Sequence, residues 1–538
     1  MFPTSTQSSY PIIAMNYLPL RTARLTIFLF TLMMVVCKTH LVNAESSSPP
    51  NIVFIISDDM GYSDLGCYGG ELNTPTLDSL AADGVRFTNY YCENMCMATR
   101  AAILSGVYTN TSYQKKELRK DLITIPNVLK QAGYHTAMSG KWHQSKLGDT
   151  AGLPTRRGFD RYYGTINGAG SFFAPSSLMR NEKLIEEEFL EKDFYYTDAI
   201  TDNAVKFIEE CDAETPLFLY VAYTAAHWPL HARDADIKKF VGKFDAGWDN
   251  LREARFKRMQ KLGILPEHSK LSPRDAGVPA WEAEEHKAWQ LRRMEVYAAQ
   301  VDVMDQGIAR IVDSLKATGR YENTLLMFTI DNGGCHVEYG PDRKGAYLPE
   351  KTRDGRPVVP GNLPHIMPGP EDTYQSYGRG WANLSNTPYR LFKTFSHEGG
   401  IRVPLIVHWP KIIQQGGQLN TEMIHAIDFM PTFADLAGTQ LPKKYQGKPI
   451  VAIDGSSFAT LLKGEDFKGR EAMFFRWNKG KAVRQGNWKL VQEKGKPWEL
   501  YNLAKDPSEL KDLSKKLPKQ FATLQKLWED WYRTSLMK

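Results

Sequence analysis

Short runs of consecutive apolar residues punctuate the chain, and longer stretches with apolar residues three and four apart lie between them. Asn51–Ile56 (NIVFII), Pro216–Tyr223 (PLFLYVAY), Thr324–Ile330 (TLLMFTI) and Val403–His408 are apolar at consecutive positions, so they predict strands buried on both faces. His135–Met138 predicts another strand. Met294–Leu315 carries Met294, Tyr297, Val301, Met304, Ile308, Ile311 and Leu315 at helical spacing, one face turned to a core. Strands alternating with helices predict an α/β fold: a large mixed, mostly parallel sheet with helices on both faces. The charged stretch 231–290 predicts a helical insertion. Residues 340–370 hold twelve Gly or Pro and predict an irregular excursion. From about residue 441 the texture changes. Runs at 472–477, 481–484, 487–492 and 498–501 predict a small antiparallel sheet, and Phe521, Leu524, Trp528 and Trp531 mark one face of a last helix. The predicted division is a main domain over 45–440 and a smaller α+β subdomain over 441–538.

The N-terminus has a different character. Arg21 and Arg24 precede the apolar run 25–37 (LTIFLFTLMMVVC), and Val42-Asn43-Ala44 follows. A basic flank, a short apolar stretch and a small residue at the cut predict a secretory signal over 1–44. The run is short for a permanent bilayer span. The expected mature protein begins near Glu45, is periplasmic or secreted, and has no stable membrane association. Met15 is an alternative start.

Composition narrows the class further. Hydrophobic residues make 42% of the 538-residue chain and charged residues 24%, which excludes a mainly disordered or multi-span membrane protein. The net charge is +6, and loss of Arg21, Arg24 and Lys38 with the leader leaves +3, no footprint for a nucleic-acid partner. Five cysteines remain: Cys67, Cys92, Cys96, Cys211 and Cys335. An odd number in so long a chain is not a disulfide framework.

In open parallel sheets, ligands bind beyond the carboxyl ends of the strands. Asp58-Asp59 follow the first strand and Asp331-Asn332 follow Thr324–Ile330. Either pair alone reads as a helix cap or a turn. Both at equivalent strand ends offer four hard oxygen donors, suited to Ca²⁺ or Mg²⁺ rather than zinc. Lys141 and His143 follow the His135 strand, and His227 follows Pro216–Tyr223. Cys96 opens a helix-like stretch closed by Gly106, where an anion is welcome. A disulfide to Cys92 is the bland alternative.

These motifs resemble the type I sulfatases of the alkaline phosphatase superfamily. Asn51–Asp59, Cys96–Gly106, Gly140–His143, Asp331–Gly334 and Glu398–Pro404 occur in the family's order, from Pro50 to about residue 535. Gly247-Trp248-Asp249, Arg255 and 294–299 (MEVYAA) look most like the bacterial arylsulfatase branch. The resemblance implies that Cys96 is oxidised to formylglycine by a maturation enzyme. It implies one metal, Ca²⁺, held by Asp58, Asp59, Asp331, Asn332 and the residue-96 oxygen. Arg100 and Lys141 would hold the nucleophile, and Lys141 would reach the sulfate. His143 would help expel sulfate; His227 and Lys393 would serve the leaving group and sulfate oxygens. Asp331 is the candidate base for the attacking hydroxyl. Ala98 departs from the family's usual Cys-x-Pro-x-Arg and bears on which maturation system recognises the chain. The implied substrate is an aryl, alkyl or carbohydrate sulfate.

Two rivals follow from the same motifs. A phosphonate or phosphate ester hydrolase of the superfamily would share the anion site, but zinc phosphatases place histidines beside the metal aspartates, and no such nitrogen stands next to Asp58-Asp59 or Asp331-Asn332 in the sequence. A non-catalytic binding protein would have lost some of these groups, and none is missing.

Overall fold

The central strand β1 (Asn51–Ser57) is buried at every position, as an unbroken apolar run requires when both faces of a sheet are covered. A computed structural model describes residues 9–12, 48–345, 347–478 and 480–538. Apart from 9–12, the expected signal segment 1–44 lies outside the described residues. The other strands of the main sheet are β2 (Val85–Phe87), β3 (His135–Gly140), β4 (Arg161–Thr165), β5 (Leu178–Arg180), β6 (Lys183–Leu184), β7 (Leu217–Ala222), β8 (Thr324–Ile330), β9 (Leu405–His408) and β10 (Gln418–Asn420). They form one ten-stranded sheet in the order β10-β2-β9-β8-β1-β7-β3-β4-β5-β6. The run β8-β1-β7-β3-β4 is parallel throughout. Antiparallel pairs lie outside it, at β8–β9, β9–β2, β4–β5 and β5–β6.

Helices cover both faces. Among them are α1 (Cys96–Ser105), α2 (Tyr196–Glu209), α3 (Gly247–Lys261), α4 (Lys287–Ala317), α5 (Gly378–Ser385) and α6 (Phe429–Leu436). The face that carries Phe54 and Phe218 meets Phe429 and Phe433 of α6. On the other face α2 lies against β7 and β3 and packs along the predicted central helix, α4. The charged stretch 231–290 contains α3, whose buried Arg255 is ion-paired to Asp64 and Glu71.

Residues Pro49–Lys538 form one compact unit. Within it the C-terminal sheet is antiparallel, β11 (Ala472–Trp477), β12 (Gly480–Gln485), β13 (Trp488–Glu493) and β14 (Glu499–Asn502). Its strands alternate. Met473, Phe475, Ala482, Val491 and Tyr501 pack with Tyr91 and Ile401, while Val483, Leu490 and Leu500 pack with Leu524 and Trp528 of the last helix, α7 (Pro518–Ser535). Among the described residues, no helix is long and apolar enough to cross a membrane, and the five described cysteines are all free.

Candidate active site at the carboxyl ends of the central strands

Register decides what meets at the sheet's edge. β1 and β8 run parallel with Ser57 opposite Ile330, so the pairs that follow, Asp58-Asp59 and Asp331-Asn332, emerge side by side. The Asp59 N–H donates to Asp331 Oδ1 at 3.3 Å. β7 and then β3 lie on the other side of β1, and they deliver His227, Lys141 and His143 to the same rim. Cys96 is the first residue of α1, after an extended Met95 and with no side-chain cap, so the free N–H groups of the first turn surround it.

All ten residues singled out in the sequence fall into one connected cluster. Lys141 Nζ donates to Asp58 Oδ2. Arg100 donates from Nε (3.0 Å) and Nη2 (2.8 Å) to Asp331 Oδ2. Lys393 Nζ lies 2.5 Å from Asp59 Oδ1, and Asn332 Nδ2 donates to the same oxygen at 2.7 Å. Cys96 Sγ sits 3.5 Å from His143 Nδ1 and 3.9 Å from Lys393 Nζ. His227 Nδ1 is 2.6 Å from the Trp228 carbonyl, which can only accept, so Nδ1 carries a proton and Nε2 turns to Asp59 Oδ2 at 3.3 Å. No nitrogen neighbours Asp58-Asp59 in the sequence, yet His227 stands beside them in space. The fold brings one from a separate strand.

The donor set fits a hard cation. Asp58 Oδ1, Asp59 Oδ2 and Asn332 Oδ1 are buried with no hydrogen-bond partner, a costly state unless something electropositive binds them. Ligand atoms of Asp58, Cys96 and Asp331 lie within 4.8 Å of one another. Oxygen donors suit Ca²⁺ or Mg²⁺. The carboxylates of Asp58, Asp59 and Asp331 are matched by Arg100, Lys141 and Lys393, so a divalent ion would leave the site positive for an anionic ester.

The charges are tuned by burial and neighbours. Burial raises the Asp58 acid, but Lys141, His227 and Arg100 hold it below the usual carboxylate range. Burial and the Asp58 carboxylate push Asp331 up to about 7, against Arg100. Burial takes His227 down to about 4. Burial works against the Lys393 charge too, yet Asp59 keeps that ammonium well above its ordinary value. Asp59 and His143 hold φ of 63° and 51°, left-handed values that non-glycine residues rarely adopt and that concentrate at functional sites.

Supporting residues escaped the sequence reading. The Thr99 hydroxyl donates to the Asp331 carbonyl at 2.5 Å. A Cβ on Gly333 would stand 1.9 Å from the Gly399 carbonyl, so glycine lets the Asn332 loop close on the Glu398–Ile401 turn. The Trp228 ring packs against His227 in a tilted arrangement, with ring centroids 4.3 Å apart. Thr99 and Gly333 lie inside the family's motifs, but their contacts, to Asp331 and to Gly399, are distant in sequence, and the Trp228 side chain becomes relevant only once the fold turns His227 inward.

The chain belongs to the sulfatase family: residues 50–439 match the Sulfatase family model, and residues 389–534 match the model described as N-sulphoglucosamine sulphohydrolase, C-terminal. An uncharacterised sulfatase of Schizosaccharomyces pombe is 31% identical over 90% of this chain and 93% of its own length. An arylsulfatase of Klebsiella aerogenes is 32% identical over 80% of this chain and 95% of its own. Among solved structures, Ps i-CgsB in complex with k-i-k-neocarrahexaose is 26% identical, with a TM-score of 0.63 over 90% of this chain and 93% of that one. The fold is thus the alkaline phosphatase-like α/β fold of the sulfatases, and the protein is a sulfatase enzyme.

Proposed function

We propose that the chain hydrolyses a sulfate monoester, with a formylglycine derived from Cys96 as nucleophile and one Ca²⁺ beside it. The observation that carries this reading is the placement of Cys96 Sγ, at a helix start, between His143 and Lys393 and beside the carboxylates of Asp58 and Asp331. Asp58, Asp59, Asp331 and Asn332 would hold the metal, which supplies Lewis-acid stabilisation of charge on the sulfuryl oxygens. A hydrated formylglycine supplies one hydroxyl to attack sulfur and a second whose collapse to the aldehyde expels sulfate.

The chain's own residues divide the remaining work. Arg100, bonded to Asp331, and Lys141, bonded to Asp58, hold residue 96 in a positive field. Lys141 and Lys393 bind sulfate oxygens. Asp331 takes the proton of the attacking hydroxyl. His143 stays against residue 96 and assists sulfate expulsion. His227 is oriented by its Nδ1–H bond to the Trp228 carbonyl, with Nε2 turned inward to serve the departing oxygen beside Lys393.

The substrate class we favour is a sulfated carbohydrate. The relative bound to neocarrahexaose supports it, as does an N-acetylglucosamine-6-O-sulfatase of Bacteroides thetaiotaomicron, 25% identical over 87% of this chain. The protein would be exported, lose residues 1–44 and work in the periplasm or outside the cell. Cys96 is 3% exposed and Arg100 fully buried, so the maturation enzyme would act before the fold closes over the Cys-x-Ala-x-Arg segment.

Peptide mass spectrometry of an active preparation tests the central claim. The peptide with residue 96 should be lighter than its cysteine form and reactive with hydrazides, and Cys96→Ala should remove activity from a folded protein. Full activity from a preparation holding only unmodified Cys96 would overturn the mechanism.

A further inference from the structure

The same two strand ends that carry the reactive groups continue into an aromatic cluster whose rings the chemistry above does not use. β7 leads through His227 into Trp228, and β8 leads through Asn332 into Tyr339, Arg343 and Tyr347. The Trp228 ring lies 4.3 Å from the His227 ring on one side and 5.1 Å from Tyr339 and 5.6 Å from Tyr347 on the other. Tyr339 is buried behind the cluster, whereas Trp228 and Tyr347 stay partly open to solvent. The backbone of Tyr347 approaches Gly170, in the segment whose Gly168 backs the His143 ring. The cluster therefore adjoins His227 and the segment that backs His143.

Arg343 lies on top of it. Its guanidinium carbon is 5.1 Å from the centre of the Trp228 ring and 4.8 Å from that of Tyr339. Elsewhere in the same excursion, Arg353 is paired to Glu371, and Arg356 to Asp354 and Asp372. Among the described residues, no carboxylate comes within ion-pair distance of Arg343, whose N–H edges are left without an acceptor. A cation–π seat holds the guanidinium by its face, which frees the planar fork for an oxyanion with two acceptors. A cavity of about 650 Å³ opens beside it, lined in part by Arg343, Lys344, Leu348 and Pro360. Asp342 and Glu350 line the cavity too, so it is not a general anion trap. Lys344 adds a second positive charge at the cavity wall, and Arg343 is the cation that also lies over the Trp228 and Tyr339 rings.

We propose that Trp228, Tyr339, Tyr347 and Arg343 form a leaving-group subsite that selects carbohydrate sulfates carrying a second anionic group, a further sulfate or a carboxylate. The proposal rests on the sulfate-ester reading above and adds what the leaving group must carry. The partly open Trp228 and Tyr347 offer apolar ring edges to a sugar, buried Tyr339 backs them, and Arg343 takes the second anion.

The test compares a panel of hexose monosulfates with their disulfated and uronic acid counterparts. On matured wild-type protein, at least one dianionic member should exceed its monosulfate in kcat/KM. Arg343→Ala should lower that ratio about tenfold or more, and Arg343→Lys should recover only part of it, since an ammonium lacks the fork. Calorimetric binding of the same panel to Cys96→Ala, with and without Arg343→Ala, reads the subsite without turnover. There too the preference for the second anion should depend on Arg343. Absence of any preference in both assays, or a preference that survives Arg343→Ala, overturns the subsite. Hydrolysis of no sulfate ester by matured protein, with selective binding intact, would instead fail the sulfatase reading while sparing the subsite.

Discussion

His143 reaches Cys96 because Gly168 leaves room for its ring. A Cβ at position 168 would come within 2.1 Å of His143 Cε1 and 2.3 Å of both ring nitrogens. The ring is not the far end of a long flexible chain, so it would have to leave its place 3.5 Å from Cys96 Sγ. Displacement of a catalytic group by about 1 Å can cost on the order of a hundredfold in rate. Gly168→Ala should therefore lower kcat by roughly tenfold to a hundredfold, with the unfolding midpoint nearly unchanged and formylglycine content at the wild-type level. Unaltered kcat in that variant would show that His143 has slack to move and does not need this position. At this scale the sequence showed the reactive groups and hid their supports. Asp58, Asp59, Asp331 and Asn332 are visible because chemistry restricts which residues can bind a cation. Gly168 and Thr99 are ordinary residues until the fold sets them against a functional one.

Two elements far apart in sequence are tied together by a buried charge cluster. Lys489 of β13 donates to Glu398 Oε1 at 2.7 Å and lies 2.8 Å from Glu509 Oε1, with all three side chains fully buried. Tyr91 donates to Glu398 Oε2 at 2.6 Å, and Arg402 Nη1 lies 3.3 Å from the same oxygen. The cluster pins the C-terminal sheet to the turn whose Gly399 packs on Gly333, next to the proposed metal ligand Asn332. Removing Lys489 takes the cation from two buried carboxylates, leaving Glu398 with Arg402 and Tyr91 and Glu509 with none of these, which costs about 3 kcal/mol. Lys489→Met should lose stability of that order in denaturant titrations. The pH dependence has a definite sign. Burial raises the Glu398 acid, but Lys489, Arg402 and Arg484 bring it down to about 2 from its ordinary 4.5. A depressed carboxylate contributes stability that is full above 4.5 and is lost as pH falls toward 2. The wild-type unfolding midpoint should drop across that window, and it should drop less in Lys489→Met. Parallel curves for the two proteins would remove Glu398 as the source. In the sequence a lysine in WKLVQE reads as the polar side of a two-faced strand. It is buried here because that side packs against another layer, a fact no strand pattern contains. The main strands were legible for the opposite reason: an unbroken apolar run fits only a sheet covered on both faces. β5 and β6 are too short to show such a run.

Across the whole molecule, order in the sheet converts residues spread from Asp58 to Lys393 into one site. The order β8-β1-β7-β3 was not legible, since apolar runs do not say which strands pair. The rule that ligands gather at carboxyl ends was enough to pick the residues without it. Three buried oxygens, Asp58 Oδ1, Asp59 Oδ2 and Asn332 Oδ1, lack hydrogen-bond partners, so the folded chain stores a desolvation cost that a bound cation relieves. Such an ion stabilises the fold by mass action, by about 2.7 kcal/mol at a hundredfold excess over its Kd. Dialysis against a chelator should therefore lower the unfolding temperature as well as abolish activity, and Ca²⁺ should restore both with one ion per chain by elemental analysis. Cys96→Ala should keep most of the Ca²⁺-dependent rise in unfolding temperature, because Asp58, Asp59, Asp331 and Asn332 remain. Asp59→Ala should lose most of it, along with activity. Stoichiometric zinc with no calcium or magnesium would give His227, whose Nε2 already lies 3.3 Å from Asp59 Oδ2, a ligand's role and favour the phosphate or phosphonate ester reading. No shift with any divalent ion would mean that Arg100, Lys141 and Lys393 alone balance the three carboxylates.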